Sequence, residues 1–200
     1  MSAVEDRRAA LRETLIDAAE RRVEADGLAS IRARDLAKEA GCSVGAIYNI
    51  FDDLDALILA VNLRTFAKMG AEIRQAMAEA GDVPPAQRMI VMANAYLDYA
   101  SAHPRRWRTL FDFQMSIESD VPEWYLKALG ELFELIAAPL RELFPDAEPE
   151  RIDMLMRGLF SSVHGIVLLG VESRISGVPR ARLEEMIAFI ITAASDATLH

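Results

Sequence analysis

The stretch IRARDLAKEAGCSVGAIYNIF, from Ile31 to Phe51, constrains the fold more than any other part of the chain. It predicts two short helices joined by a tight turn. Leu36, Ala37 and Ala40 give the first an apolar face, and Ile47, Ile50 and Phe51 give the second another. Gly41 stands where the first helix must stop and reverse, because glycine enters the left-handed region without a Cβ clash. Ser43 follows as an N-cap whose hydroxyl accepts from a free amide of the next helix. A helix, a short glycine turn and a second helix make the helix-turn-helix arrangement, whose second helix enters a DNA major groove.

The rest of the chain reads as helical too. Two hundred residues, 52 % hydrophobic, suffice for one or two small domains with a full core, and exclude a disordered chain. Val4 to Ala25 is amphipathic through Leu11, Leu15, Ala18, Ala19 and Val23. A long helix is predicted from Leu54 to Glu79, with Leu57, Ile58, Val61, Met69, Ile73 and Met77 as its stripe. Pro84-Pro85 opens a helix reaching about Ser101, and His103-Pro104 opens a short one carrying Trp107, Leu110, Phe111 and Phe113. A further helix ends near Leu143, another spans about Glu150 to Arg174, and the last follows Pro179. The expectation is an all-α chain of about nine helices, divided into a DNA-binding domain over 1–53 and a ligand-binding and dimerisation domain over 54–200.

Charge and cysteine usage narrow the chemistry. One cysteine excludes an internal disulfide and any cysteine-rich zinc site. His103, His164 and His200 lack metal-ligand spacing, so neither metal nor cofactor is expected. The N-terminus lacks the apolar stretch of a signal peptide, and the charge-free run Gly158 to Val171 is too short to span a bilayer. These features suit a cytoplasmic protein. The net charge of −9 runs against the basic footprint usual in nucleic-acid binding. Up to Arg64, nine basic residues face twelve acidic ones, so the field at a contact face, not the sum, must decide. Gly41-Cys42-Ser43-Val44-Gly45 also matches the G-x-S-x-G nucleophile elbow. That elbow requires a preceding strand, and Lys38-Glu39 mark a charged helix instead, so the chain is not read as an enzyme.

The run from Leu15 to Val61 resembles the N-terminal domain of the tetracycline-repressor (TetR) family of transcription regulators. The matching residues are Ile16, Ala18, Ala19, Gly27, Asp35-Leu36-Ala37, Ala40-Gly41-Cys42-Ser43, Gly45-Ala46-Ile47-Tyr48, Phe51, Leu57 and Ala60-Val61. Downstream, His103-Pro104 with Trp107 and Phe111, then Arg157-Gly158 and His164-Gly165, resemble the C-terminal domain of one TetR subgroup, marked by a Trp-His-Gly element.

The resemblance implies a recognition helix of about Val44 to Ile50, in which Ser43, Val44, Gly45, Ala46 and Asn49 face DNA and Tyr48 contacts a phosphate. Asn49 has the donor–acceptor pair suited to adenine, and Arg32 and Arg34 stand at the start of the preceding helix. The family usually carries lysine where this chain has Leu54. A cavity for a small, largely apolar effector is implied as well, with Met92, Tyr96, Trp107, Phe111, Met115, Trp124, Tyr125, Phe160 and His164 as its lining.

The last two helices are too apolar for one subunit to cover. Leu155, Leu159, Ser162, Ile166, Ile187, Ile190 and Ile191 are therefore expected in a homodimer seam. A two-fold dimer places two recognition helices on a palindromic operator. The implied function is a repressor released from its operator by the effector, with the Leu54 to Glu79 helix carrying the shift. The rivals are a helical enzyme or ligand carrier on the same scaffold, and a regulator controlled by a protein partner.

Overall fold

A computed structural model of the chain describes residues 3–113, 121–171 and 177–196. Among the described residues there are nine α-helices and no strand. They are α1 (Ala3–Asp26), α2 (Ala33–Ala40), α3 (Val44–Tyr48), α4 (Leu54–Ala80), α5 (Pro85–Ala102), α6 (Pro104–Asp112), α7 (Glu123–Leu143), α8 (Pro149–Val171) and α9 (Arg180–Ser195). One 3-10 turn, Leu28–Ser30, follows α1 and has no counterpart in the sequence reading. The all-helical expectation holds, and most predicted boundaries agree with the structure within a residue or two. The predicted reach of the eighth helix to Arg174 falls outside the described residues.

The chain forms two compact units. The first draws on Met1–Ala67 and His103–Leu126, the second on Lys68–Ala102 and Lys127–His200. The first unit is centred on Leu15, Ile16, Ala19, Val23, Leu36, Ile47, Phe51, Leu57 and Val61, with Leu11 packed against them. Positions 15, 19 and 23 of α1 recur every fourth residue, so one face of a single helix supplies the floor on which α2 and α3 sit. Burying a leucine or isoleucine this completely contributes roughly 1.5–3 kcal/mol each. Helix α6 also packs on α1, and its Trp107 is fully buried.

Ion pairs extend that packing. α1 carries Glu13, Asp17, Glu20 and Glu24, which one helical face gathers at three- and four-residue spacing. Arg64 of α4 reaches three of them: Glu13, Asp17 at 2.5 Å and Glu20 at 3.2 Å. Burial alone would lower the Arg64 pKa. The hydrogen bonds from Asp17 and Glu13 and the charge of Glu20 outweigh it, so the net shift is upward. Arg106 of α6 lies 3.2 Å from Glu24 and 3.9 Å from Glu20, and His103 lies 3.2 Å from Glu24.

In the second unit α9 packs on α8 and α5, and α8 on α5. Leu183 of α9 packs against Gly170 of α8, where a Cβ would meet its Cδ1 at 2.3 Å. Helix α8 is long and apolar enough to cross a membrane by length and composition. The charge-free run Gly158 to Val171 is only its C-terminal part. The helix begins upstream at Pro149, and its buried face, Ile152, Met156, Leu159, Val163, Ile166 and Val167, packs within the unit.

Candidate nucleic-acid interface and effector region

The turn between α2 and α3 forms as its residues dictate. Gly41 adopts φ 66°, ψ 32°, in the left-handed region. Cys42 N–H donates to Ala37 O at 2.9 Å and Gly41 N–H to Lys38 O at 3.4 Å, which is the paired bonding of a Schellman cap. Cys42 follows the left-handed residue and packs half-buried against the core, so its place there is that of a small apolar residue. Ser43 caps α3 by accepting from Ala46 N at 3.2 Å. The G-x-S-x-G elbow is thus absent: a helix precedes Ser43, and its hydroxyl is a cap.

The recognition helix is shorter than the Val44 to Ile50 span the sequence suggested. It ends at Tyr48, because Asn49 is its C-cap and the amides of Ile50 and Phe51 both turn back to Ile47 O. Ile47 is fully buried, which fixes the rotation of α3. Ser43, Gly45, Tyr48 and Asn49 are exposed, and Val44 and Ala46 are half-buried. Tyr48, 47 % exposed, is a phenol left outside the core. Arg32 and Arg34 are exposed at the start of α2. Arg32 has extended backbone and makes no side-chain cap.

Two arginines of α1 reach this edge. Arg8 donates from Nη2 to Asn49 O at 2.9 Å, and the Arg12 guanidinium carbon lies 5.3 Å from the centre of the Phe51 ring. Other basic side chains are committed to carboxylates: Arg21 and Arg22 bond Glu39 at 2.9 and 3.0 Å. The Arg21 hydrogen bond is the main force holding the Glu39 carboxyl below the usual range.

The residues predicted to line an effector cavity fall into two groups. Met92, Tyr96, Phe160 and His164 belong to the second unit. There the Tyr96 hydroxyl lies 2.9 Å from His164 Nδ1, and Phe160 stacks on the imidazole at 5.7 Å with an interplanar angle of 25°. Phe133, not singled out for the cavity, meets Phe160 edge-on at 5.2 Å. Burial pushes the His164 pKa down, so its imidazole is neutral near pH 7. An aromatic cluster with one phenol–imidazole pair suits an apolar molecule bearing a single hydrogen-bonding group.

Trp107, Phe111, Trp124 and Tyr125 belong to the first unit instead. Trp107 is interior, and Phe111 and Trp124 are exposed. Tyr125 packs 5.2 Å from Phe66; burial raises its pKa, opposed by the nearby Asn62 amide. Asn62, fully buried, was legible as the one polar side chain in the run Leu57 to Leu63. Met115 lies outside the described residues. Phe133, Ala137, Ile152 and Met156 also line an open groove of about 310 Å³ beside α7 and α8, rimmed by the pairs Glu134–Arg141 and Asp153–Arg157.

The expected dimer residues divide similarly. Leu159, Ile166, Ile187 and Ile191 are buried within the single chain, Leu155 and Ile190 are half-buried, and Ser162 is exposed. The apolar side chains left outside are Met154 and Leu169 on α8, each 50 % exposed, and Phe189 on α9, 70 % exposed.

Comparison with known proteins agrees with this architecture. Residues 15–61 match the family model of bacterial regulatory proteins of the tetR family, and residues 89–194 match that of the tetracyclin repressor-like C-terminal domain. An uncharacterized HTH-type transcriptional regulator of Mycobacterium tuberculosis is 29 % identical over 189 residues, covering 92 % of this chain and 86 % of that one. A second from the same organism is 29 % identical over 159 residues, covering 79 % and 69 %. A protein of unknown function from Rhodococcus sp. RHA1 superposes with a TM-score of 0.72 at 24 % identity, covering 92 % and 93 %. The TetR family transcriptional regulator PfmR from Thermus thermophilus gives 0.57 at 17 %, covering 93 % and 99 %. At those identities the two structures attest the fold. With the helix-turn-helix formed at Gly41 and Ser43 and family models matching both ends, the chain belongs to the TetR family and is a DNA-binding transcriptional regulator.

Proposed function

We propose that this regulator is a cytoplasmic homodimeric repressor that a small, largely apolar effector releases from a palindromic operator. The observation that carries the DNA reading is the α2–α3 turn: a Schellman cap at Gly41, a Ser43-capped recognition helix, and Tyr48 and Asn49 left exposed beside it. In this reading Asn49 reads a base edge and Tyr48 a phosphate oxygen, with Ser43, Val44, Gly45 and Ala46 forming the close-approach surface. Arg32 and Arg34 add charge at the α2 N-terminus, where free amides already favour an anion. No enzymatic reaction is assigned.

The dimer face is assigned to the outer sides of α8 and α9. Met154, Leu169 and Phe189 stand exposed there, and a Cβ added at Gly158 or Gly165 meets nothing within 4 Å, so these faces are open to another helix. Helix packing of this kind buries apolar surface on a two-fold axis. The effector is assigned to the cluster of Tyr96, Phe133, Phe160 and His164, with Met92 one turn before Tyr96 on α5. An effector favouring the conformation that fits DNA poorly then acts as an inducer, limited by its differential affinity.

The test is fluorescence anisotropy against a duplex selected by the protein from a randomised library and a scrambled duplex, at two salt concentrations. Preferential, salt-weakened binding supports the reading, and equal binding of both duplexes defeats it. Asn49→Ala should relax preference at one base pair, while Tyr48→Ala should weaken both duplexes together.

A further inference from the structure

We propose that Arg8 is a dual-purpose residue of the DNA interface: it pins the end of the recognition helix and takes a phosphate oxygen of duplex DNA. The proposal rests on α3 being the recognition helix, as above.

Three features of α1 carry it. Every residue from Ala3 to Ala10 is exposed, so the first two turns of α1 contribute little to the core. Those turns are nevertheless helical and run beside the C-terminal end of α3, where Arg8 donates to Asn49 O at 2.9 Å. One turn further on, Arg12 lies over the Phe51 ring, fixing the same edge. A guanidinium at a helix C-terminus meets a free carbonyl and the negative end of the helix dipole, so Arg8 sits where its charge is favoured.

What sets Arg8 apart from the arginines of the ion-pair cluster is its partner. Arg21, Arg22 and Arg64 all face carboxylates, which cancel their charge. Among the described residues, Arg8 pairs with no carboxylate; its partner is a neutral carbonyl. No carboxylate neutralises it there, and it sits on Asn49, the exposed residue that follows exposed Tyr48. The guanidinium fork has five N–H donors, and the Asn49 bond uses one, leaving donors for a phosphate without releasing the helix. Leu54 offers no cation here, and Asp52, Asp53 and Asp55 follow α3 immediately, so a cation delivered from α1 fills a real deficit.

The experiment measures anisotropy of the selected and scrambled duplexes over a series of salt concentrations, for wild type, Arg8→Ala and Arg8→Lys. Circular dichroism and melting confirm folding, which these exposed substitutions should leave intact. Arg8→Ala should weaken both duplexes and flatten log K against log salt by about 0.9 per bound protomer. Arg8→Lys keeps the charge and loses the planar fork, so it should retain most of the slope and lose part of the preference for the selected duplex. If wild type binds selectively and Arg8→Ala keeps its slope, the phosphate contact is refuted. Unchanged preference in both variants refutes the positioning role. A wild type without selectivity would instead refute the recognition-helix reading on which both depend.

Discussion

Replacing Gly41 tests whether the turn geometry carries the DNA-binding unit. Gly41 has φ 66° and ψ 32°, and an added Cβ would find nothing within 4 Å. The substitution therefore brings no clash, only the cost of a left-handed backbone, about 1–2 kcal/mol for an L-residue. Restricting the unfolded chain returns about 0.4–1 kcal/mol of that. Gly41→Ala should thus destabilise by about 1 kcal/mol net, equivalent to roughly 2–4 °C in melting temperature for a chain of this size. Asparagine tolerates this conformation, so Gly41→Asn should be milder than Gly41→Ala. Gly27, at φ 77° and ψ −175°, lies in a region essentially reserved for glycine, so Gly27→Ala should be the worst of the three. Urea titration followed by circular dichroism gives the ranking. The reasoning fails if Gly41→Ala leaves stability within about 0.3 kcal/mol of wild type, or if asparagine proves worse than alanine there.

Arg64→Leu should cost about 1–3 kcal/mol, because it removes the cation that Glu13, Asp17 and the buried Glu20 share; thermal melting checks it. His164 has its pKa lowered by burial, so on acidification the unfolded state takes the proton first. Stability should fall as pH drops below about 6.5 and level off below the folded pKa, and His164→Gln should lose that part of the slope. The double variant Leu169→Glu, Phe189→Glu places charge on the exposed faces of α8 and α9. It should sediment as a monomer where wild type sediments as a dimer, with its helical content retained.

The parts of this chain that were legible in sequence are those set by local chemistry. Gly41 and Ser43 define their turn through backbone conformation and a single hydrogen bond, each reaching no more than a few residues. The four-residue spacing of Leu15, Ala19 and Val23 likewise needs only the helical period. What was illegible depends on which of two apolar faces meets which neighbour. Leu159, Ile166 and Ile187 went into the chain's own interior, while Met154, Leu169 and Phe189 remained outside. Both sets are strongly apolar, and the packing of α5, α8 and α9 on one another separates them. Trp107 illustrates the same limit: an aromatic that suits a cavity wall also suits a core, and here α1 covers it. The end of α3 was overrun for a third reason. Asp53 caps α4 by accepting from Ala56 N at 2.7 Å, so the chain must leave helical geometry before it.

The acidic excess, which in the sequence runs against DNA binding, is largely taken up inside the first unit. Among the described residues, Glu13, Asp17, Glu20, Glu24, Asp35 and Glu39 stand in ion pairs that brace α1 against α2, α4 and α6. Such pairs also silence arginines that would otherwise attract any polyanion, so they trade indiscriminate affinity for selectivity. Glu39 exposes this most directly, because it bonds both Arg21 and Arg22. Glu39→Gln removes one negative charge per protomer and frees the Arg21 guanidinium, while Arg22 keeps Asp35 at 3.8 Å. A unit charge about 10 Å from a phosphate is worth about 0.4 kcal/mol in water, or roughly a twofold change in affinity per protomer. Scrambled-duplex affinity should therefore rise at low ionic strength and converge on wild type at high salt, where screening removes the difference. Selected-duplex affinity should rise by the same factor or less, so the discrimination ratio falls or stays level and cannot improve. A Glu39→Gln protein that binds scrambled DNA no better than wild type at low salt would show that these pairs only brace the fold and leave the field at the recognition edge untouched.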